Sequence, residues 1–212
     1  MQQLLQNIEQ AVKSLFEQQE GSHDWQHIDR VRRTALLLQK QEGGDAIIIE
    51  LAALLHDISD HKYNGGDFEA GPQVARAILA QHQCPAPIIE QVCNVVAIVS
   101  FKGALVADQQ TSLEGKIVRD ADRLDAIGAI GIARAFAYGG SKNRALYIPE
   151  VAPTLHQSKE AYFQDQGHTL NHFYEKLLLL KDRMETKTAR QIAEQRHQYM
   201  LDFIEQFKAE WA

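Results

Sequence analysis

Apolar residues recur at three- and four-residue spacing along nearly the whole chain. The first run is Leu4, Leu5, Ile8, Val12, Leu15 and Phe16. This spacing is that of an amphipathic helix with one face turned toward a core. The sequence contains no alternating strand pattern of useful length and no internal repeat. The pattern therefore predicts an all-α protein.

Capping residues and helix breakers predict where several helices begin and end. Ser22 is a candidate N-cap for a second helix that runs to about Gln41, where Gly43–Gly44 ends it. Asp45 is a plausible cap for a third helix with the sequence AIIIELAALLHD. Further helices are expected on either side of Pro85.

The second half of the chain follows the same pattern with one long interruption. A helix is expected from about Thr111, through a stretch interrupted by glycines, to about Tyr138. The segment 139–155 then contains two glycines and two prolines and is expected to be irregular. Segments of that length are often functional, so this one is a candidate lid. Two more helices are expected, the last from about Thr186 to Phe207.

Composition and charge indicate a globular protein that does not bind a nucleic-acid polymer. A length of 212 residues indicates one domain, or one with an appendage, and 45% hydrophobic residues are enough to build a core. The net charge of -6 argues against a nucleic-acid polymer as partner, because such binding depends on neutralising phosphates with basic side chains. A small phosphorylated ligand needs only a local basic cluster and is compatible with this charge.

The sequence favours a soluble cytoplasmic protein without a membrane partner. The N-terminus, MQQLLQNIEQ, lacks a basic region followed by an apolar run. The longest apolar stretch, Ala46–Leu55, contains Glu50 and is too short to cross a bilayer. Cys84 and Cys93 have no metal-like or redox-like spacing and are expected to be buried thiols.

Ionisable side chains lie on helical faces where apolar residues are expected. His27 shares a stripe with the apolar residues that follow it in the second helix, and His56 does so in the third, with Asp57 beside it. Asp122 and Asp125 share a later apolar stripe. Buried ionisable groups are costly unless they are paired or bind a metal. One shared site explains them better than independent burial of each group.

The residue types favour a divalent metal. Two imidazoles and two carboxylates suit a six-coordinate ion such as Mn(II) or Fe(II), with Zn, Co or Ni as alternatives. Four protein ligands on such an ion leave two positions for water and substrate. An open position distinguishes a catalytic metal site from a structural one.

Three segments carry a family resemblance: SHDWQHIDRV, AALLHDISD and VRDADRLDAIGAIGIARAF. Together they resemble the H…HD…D signature of the HD superfamily of phosphohydrolases. The chain is most similar to small bacterial HD proteins that include nucleotide pyrophosphohydrolases, and LNHFYEKLLLLKDRMETKTAR extends the resemblance. The implied fold is an HD-domain helical bundle with additional C-terminal helices. A single domain would span 1–212, with a core of about 20–140 and helices of about 155–210 packed on it.

The resemblance implies one divalent ion, with manganese as first choice and iron, cobalt, nickel, zinc or magnesium as alternatives. The implied ligands are His27, His56, Asp57 and Asp122. Asp120 competes with Asp122 for the last place. Asp122 is preferred because it shares the apolar stripe and resembles the second acid of the family's D-x-D pair. Asp120 would instead pair with Arg123.

Other residues are candidates for catalysis or substrate binding. Asp60 would position water or protonate the leaving group, and the alternative is a helix-terminal acid. His23 would hydrogen-bond substrate phosphate or simply cap the helix. The candidate phosphate-binding residues, which the alternative interpretation places on solvated surface, are Lys102, Arg30, His61 and Lys62.

The remaining ionisable groups have less specific interpretations. Arg32 and Arg33 are expected to belong mainly to a solvated helix face, with Arg30 the arginine that turns toward the site. Asp125 is expected to support a ligand or to make a buried hydrogen bond between helices. His168 and His172 have metal-like spacing but no third ligand nearby, so they are interpreted as packing or surface residues.

The expected function is cleavage of a phosphoanhydride or phosphoester bond of a nucleotide by attack of a metal-bound hydroxide. This expectation follows from the resemblance. A phosphomonoesterase or cyclic-nucleotide phosphodiesterase on the same metal is an alternative. A signalling module that binds metal or nucleotide without turnover is the alternative from another class. The expected partner is a small phosphorylated substrate, and both a monomer and a homodimer are compatible with the sequence.

Overall fold

The all-α prediction is confirmed. A computed structural model describes residues 1–16, 24–58, 70–99, 107–155 and 167–211 of the chain. These residues form helices and connecting turns, and no β-strand occurs among them. None of the helices in these ranges is long and apolar enough to span a membrane.

The helices differ in length from five to 25 residues. In chain order they are α1 (Gln2–Phe16), α2 (Trp25–Glu42), α3 (Ala46–Leu55), α4 (Ala70–Gln81), α5 (Ala86–Val99), α6 (Leu113–Asp125), α7 (Gly128–Ser141), α8 (Asn171–Glu175) and α9 (Lys187–Trp211). Two 3₁₀ turns, Leu177–Leu179 and Lys181–Arg183, lie between α8 and α9.

The chain divides into two compact units. The first comprises Met1–Ser100 and Gln109–Asp122, and the second comprises Phe101–Asp108 and Arg123–Ala212. Helices α1 to α5 and most of α6 therefore belong to the first unit, and α7 to α9 belong to the second. The single domain spanning 1–212, with its C-terminal helices packed on a core, stays a prediction.

Helix α3 is the centre of the first unit. Its sequence, AIIIELAALL, is apolar on nearly every face, and a helix with that pattern is stable only when it is surrounded by protein. It packs against α1, α2 and α5, and α4 packs on α5. Ile49, Leu51 and Leu54 are fully buried. Each such side chain contributes about 2 kcal/mol through removal of its apolar surface from water.

The ends of α2 and α3 are fixed by local hydrogen bonds. The N-cap of α2 is Asp24, whose carboxylate accepts a hydrogen bond from the His27 backbone N–H at 2.9 Å. The prediction that Ser22 caps this helix is therefore wrong, and Ser22 lies outside the described residues. Gly43 ends α2 with a φ of 85°, and Asp45 caps α3 as predicted, accepting from the backbone N–H groups of residues 47 and 48.

The single helix predicted from Thr111 to Tyr138 is two helices. Ile127 adopts an extended conformation between α6 and α7, and Gly128 follows with a φ of +76°. The sequence does not reveal this break, because several glycines occur in the stretch and hydrophobic periodicity does not show which of them adopts a positive φ. Helix α7 continues to Ser141, so the irregular segment begins after it and not at Gly139.

Part of that irregular segment is held by hydrogen bonds within the second unit. The backbone N–H of Thr169 donates to the carbonyl of Ala145 at 2.9 Å. The N–H of Thr154 donates to the Glu175 carboxylate, also at 2.9 Å. The two further helices predicted after this segment are present, although α8 has only five residues and α9 extends beyond Phe207 to Trp211.

Both cysteines are buried free thiols, as predicted. Burial raises the pKa of the Cys84 thiol and of the Cys93 thiol above the ordinary value. Cys93 contacts the backbone carbonyl of Pro72, which lies on α4. The two thiols therefore behave as small apolar groups in the packing of α4 and α5.

Two glycines of α7 are expected to respond to alanine in opposite directions. Alanine at position 128 would have to adopt a positive φ, which L-residues rarely do, and its Cβ would lie 3.0 Å from Arg196 Cγ. A Cβ at position 140 would meet no atom within 4 Å. Gly128→Ala should lower the free energy of unfolding by about 1–3 kcal/mol. Gly140→Ala should raise it by about 0.5 kcal/mol, because alanine has the higher helix propensity.

Urea denaturation of both variants and the wild type would measure these changes. Equal stability of the Gly128→Ala variant and the wild type would contradict the left-handed conformation at that position. The Gly140→Ala variant is the matched control, since it makes the same chemical change in the same helix.

Candidate metal centre

Four ionisable side chains predicted as metal ligands come from three helices of the first unit. His27 lies in the first turn of α2, His56 is the C-cap of α3 with Asp57 next to it, and Asp122 lies on α6. Both histidine side chains are fully buried. The Asp57 side chain is 13% exposed and that of Asp122 is 26% exposed, so the carboxylates form the side of the cluster that meets solvent.

The four side chains converge on one point. The Nε2 atoms of His27 and His56 are 3.3 Å apart. Asp57 Oδ2 lies 3.3 Å from His27 Nε2 and 3.6 Å from His56 Nε2. Asp122 Oδ1 lies 3.6 Å and 3.8 Å from the same two nitrogens. Ligand atoms of His27, His56 and Asp57 all lie within 4.8 Å of one another, whereas Asp122 is not part of that group and adjoins it through its distances to the two histidines.

These separations fit a shared cation. Two atoms bound about 2.1 Å from one ion lie about 3.0 Å apart at a right angle and about 3.4 Å apart at the tetrahedral angle. The distances from His27 Nε2 to His56 Nε2 and to Asp57 Oδ2, both 3.3 Å, lie within this range. The distance from Asp57 to His56 and the two distances from Asp122 to the histidines, 3.6 Å to 3.8 Å, exceed it by a few tenths of an ångström. Imidazole nitrogen and carboxylate oxygen together are donors for Mn, Fe, Co, Ni or Zn.

The His56 ring is oriented by a backbone carbonyl. Its Nδ1 lies 2.8 Å from the carbonyl oxygen of Ala53. A carbonyl oxygen only accepts hydrogen bonds, so Nδ1 carries the proton and donates. In the neutral ring Nε2 then keeps its lone pair and directs it at the cluster. Hydrogen bonds of this type fix the tautomer of histidines that bind metals.

The end of α3 also favours a cation electrostatically. The last carbonyls of a helix lack partners within the helix and give its C-terminus a partial negative charge. Helix α3 ends at Leu55, immediately before His56 and Asp57. The two adjacent candidate ligands therefore lie at the end of the helix that attracts positive charge.

Five predicted site residues lie outside the described residues. They are His23, Asp60, His61, Lys62 and Lys102. Arg30 is described and is partly exposed, and its role in substrate binding stays a prediction. The structure therefore brings together the four proposed metal ligands and leaves the other roles as expectations.

The other acids of α6 have different surroundings from Asp122. Asp120 is fully buried. The predicted pairing of Asp120 with Arg123 is wrong, because the Arg123 guanidinium binds the Asp108 carboxylate and the carbonyl of Arg183 instead. Asp125 is 5% exposed and accepts a hydrogen bond from Arg134 Nη1 at 2.7 Å, which is the buried contact between helices expected for it.

His168 is a packing residue, as predicted. It is 2% exposed, and its Nδ1 accepts from the Asn171 backbone N–H at 3.2 Å. Its Nε2 therefore carries the proton and donates to the carbonyl of Val151. His172 is partly exposed, and neither histidine joins a group of potential metal ligands among the described residues.

Arg32 was not recognised from the sequence. It was expected on a solvated helix face, and Arg33 is indeed 78% exposed. Arg32 is only 20% exposed and contacts Glu9 on α1 and Glu50 on α3. Burial lowers its pKa, but the hydrogen bonds and charges of the two glutamates outweigh burial and raise it overall. The sequence feature that points to this contact is Glu50, a single acid in an otherwise apolar helix, because a buried acid needs a basic partner.

The chain is similar to several known proteins. The family model described as "HD domain" matches residues 24–127, which contain all four proposed ligands. The Bacillus subtilis protein YpgQ is 35% identical over 96% of this chain and 91% of its own length. The crystal structure of YpgQ in complex with ADP has a TM-score of 0.75 and 34% identity, covering 97% of both chains.

Two further crystal structures cover nearly the whole chain. A Lactobacillus plantarum protein superposes with a TM-score of 0.88 at 36% identity, covering 100% of this chain and 98% of its own. An HD-superfamily hydrolase from Bacillus thuringiensis superposes with a TM-score of 0.77 at 43% identity, covering 99% and 97%. With the His and Asp residues of the HD signature clustered in its first unit, the chain belongs to the HD superfamily of metal-dependent phosphohydrolases.

Proposed function

We propose that this protein hydrolyses a nucleotide at a phosphoanhydride bond with one divalent ion held by His27, His56, Asp57 and Asp122. The observation that carries the proposal is the convergence of these side chains, with both imidazole nitrogens 3.3 Å apart and both carboxylates beside them. Manganese is the proposed ion, with iron, cobalt, nickel, zinc and magnesium as alternatives.

The nucleotide is proposed on the basis of a relative. YpgQ has been crystallised in complex with ADP, and it matches this chain over almost its full length. The net charge of -6 is compatible with a small phosphorylated substrate and unfavourable for a nucleic-acid polymer. A nucleoside triphosphate or a related nucleotide is therefore the first substrate to test.

The protein's contribution is to hold the metal ion and to orient the side chains that bind it. When bound, a divalent ion polarises a phosphoryl oxygen and lowers the pKa of water near it. The hydrogen bond from His56 to Ala53 keeps the ring in the tautomer that presents Nε2. Because the histidines are fully buried and the Asp122 side chain is 26% exposed, a substrate would approach from the carboxylate side.

Further roles are proposed for residues near the four ligands in sequence. Asp60 would orient water or donate a proton to the leaving oxygen, and His23 would hydrogen-bond a phosphate. Basic side chains would offset the charge that develops on the phosphoryl oxygens. The proposed basic and phosphate-binding residues are Lys102, Arg30, His61 and Lys62.

Loss of one proposed ligand is expected to reduce metal binding. His56→Gln and Asp122→Asn should each weaken affinity by at least about 10–100-fold, because losing a group that merely supports a ligand already costs that much. Metal titration of the chelated protein and elemental analysis would measure affinity and stoichiometry. Asp202→Asn is the matched control, since Asp202 is exposed on α9, where it accepts a hydrogen bond from the Gln198 side chain, and it is not a proposed ligand. Unchanged metal content in both ligand variants would refute the assignment.

Nucleotide hydrolysis is expected to require the metal and Asp122. The chelated protein would be combined with Mn, Mg, Co, Ni or Zn and tested on nucleoside mono-, di- and triphosphates, cyclic nucleotides and a generic phosphodiester. The expected result is metal-dependent turnover of a nucleotide, reduced at least about a hundredfold in Asp122→Asn, within the range expected of electrostatic catalysis at the reacting phosphate.

Direct product analysis separates the possible reactions. Pyrophosphate from a triphosphate supports cleavage of a phosphoanhydride bond, whereas inorganic phosphate from a monophosphate indicates a phosphomonoesterase. Linear products from cyclic nucleotides indicate a phosphodiesterase. Thermal stabilisation by nucleotide without any product would overturn the proposed activity in favour of a binding module.

A further inference from the structure

Helices α2 and α3 run antiparallel, and two pairs of side chains join them at positions that fit a single alignment of the two helices. His27 near the start of α2 faces His56 at the end of α3. Arg32 lies five residues farther along α2, and its partner Glu50 lies six residues back along α3. The arginine–glutamate pair and the histidine pair are therefore about one and a half turns apart on the same helix–helix interface.

The contact between Arg32 and Glu50 is directional. Arg32 Nε and Nη2 both donate to Glu50 Oε1, at 2.8 Å and 2.5 Å. Arg32 Nη1 lies 2.9 Å from Glu9 Oε1, so the same guanidinium also contacts α1. The side chains of Arg32 and Glu50 are only 20% and 13% exposed. A planar guanidinium that is mostly shielded from water holds its partner in a defined geometry.

Apolar packing alone specifies the register of α3 weakly. Glu50 is the only charged residue in AIIIELAALL, and the remaining side chains are apolar on nearly every face. A slip of one residue moves a helix by about 1.5 Å and rotates it by about 100°, and α3 would still present apolar side chains to α2. The same slip would break the hydrogen bonds to Arg32 and leave a mostly buried carboxylate without its partner.

We propose that Arg32 is a positioning residue whose pairing with Glu50 sets the register of α2 against α3 and thereby the separation of His27 and His56. This inference rests on the proposed role of those histidines as metal ligands. A displacement of about 1 Å is enough to impair a site of this kind, so the pair acts on the metal without touching it.

A second arginine–glutamate pair in the same unit supplies a matched control. Arg76 on α4 and Glu90 on α5 form a pair with two N–H donors, one of them at 2.8 Å. It joins two packed helices, as the Arg32 pair does, but neither helix carries a proposed ligand. Its side chains are more exposed, at 48% and 59%, so stability is measured separately for every variant.

The test compares two double variants, Arg32→Met/Glu50→Gln and Arg76→Met/Glu90→Gln. Each removes one positive and one negative charge, so the net charge near the site is unchanged. The measurements are the Co(II) dissociation constant, the visible absorption of the Co(II) protein and the melting temperature of the metal-free protein. The first double variant should bind Co(II) about tenfold more weakly, with a shifted absorption spectrum. The second should keep the wild-type affinity and spectrum.

Single variants separate geometry from charge. Loss of the Arg32 charge alone would tighten cation binding if electrostatics governed the effect, whereas loss of register weakens it. Arg32→Met should therefore weaken Co(II) binding despite removing a positive charge. Arg32→Lys keeps the charge without the planar guanidinium and should give an intermediate affinity. This variant also provides a test that survives if Arg32→Met does not fold.

The outcomes distinguish this inference from the proposed function. If the wild type binds Co(II) and the Arg32→Met/Glu50→Gln and Arg32→Lys variants retain its affinity and spectrum, the positioning role is wrong and the ligand assignment stands. If the wild type binds no metal, or His56→Gln and Asp122→Asn bind it normally, the proposed function fails and the positioning role fails with it.

Discussion

The antiparallel packing of α2 against α3 is the constraint on which the site depends. It places the first turn of one helix beside the last turn of the other, so His27 and His56 meet although 29 residues separate them. Gly43 makes this possible by ending α2 with a positive φ, after which Asp45 caps α3. A connection this short leaves little choice but antiparallel neighbours.

Both histidines make hydrogen bonds that are available only at a helix end. The Asp24 carboxylate holds the His27 backbone N–H, and the Ala53 carbonyl accepts from His56 Nδ1. Both contacts use groups that are unsatisfied only at a helix terminus. A histidine in the middle of α3 would find its neighbouring carbonyls occupied by the helix itself. Placing the pair at helix ends therefore gives the His27 backbone N–H a carboxylate acceptor and the His56 ring a backbone acceptor.

Helical periodicity predicted most of the helices and placed His27, His56 and Asp122 on inward-facing stripes, and the resemblance to the HD superfamily implied the full set of four ligands. Periodicity predicted neither which of two nearby residues caps a helix nor which residues of other helices a side chain contacts. Asp24 caps α2 although Ser22 is equally suitable by residue type. Arg32 was assigned to solvent because its partners, Glu9 and Glu50, come from other helices, and pattern within α2 carries no information about them.

The three aspartates of α6 show what periodicity does not predict. Asp122 and Asp125 are three residues apart and share a helical face, yet Asp122 approaches the two histidines while Asp125 binds Arg134. Asp125 is the last residue of α6, and the break at Ile127 brings the following helix back toward it. A carboxylate buried against an arginine is neutralised by that partner. The groups that Asp122 approaches among the described residues are two imidazoles, and histidine is charged only when protonated. The pairing of Asp125 with Arg134 therefore removes Asp125 as a competitor for the metal, whereas Asp122 lies within 4 Å of both imidazoles.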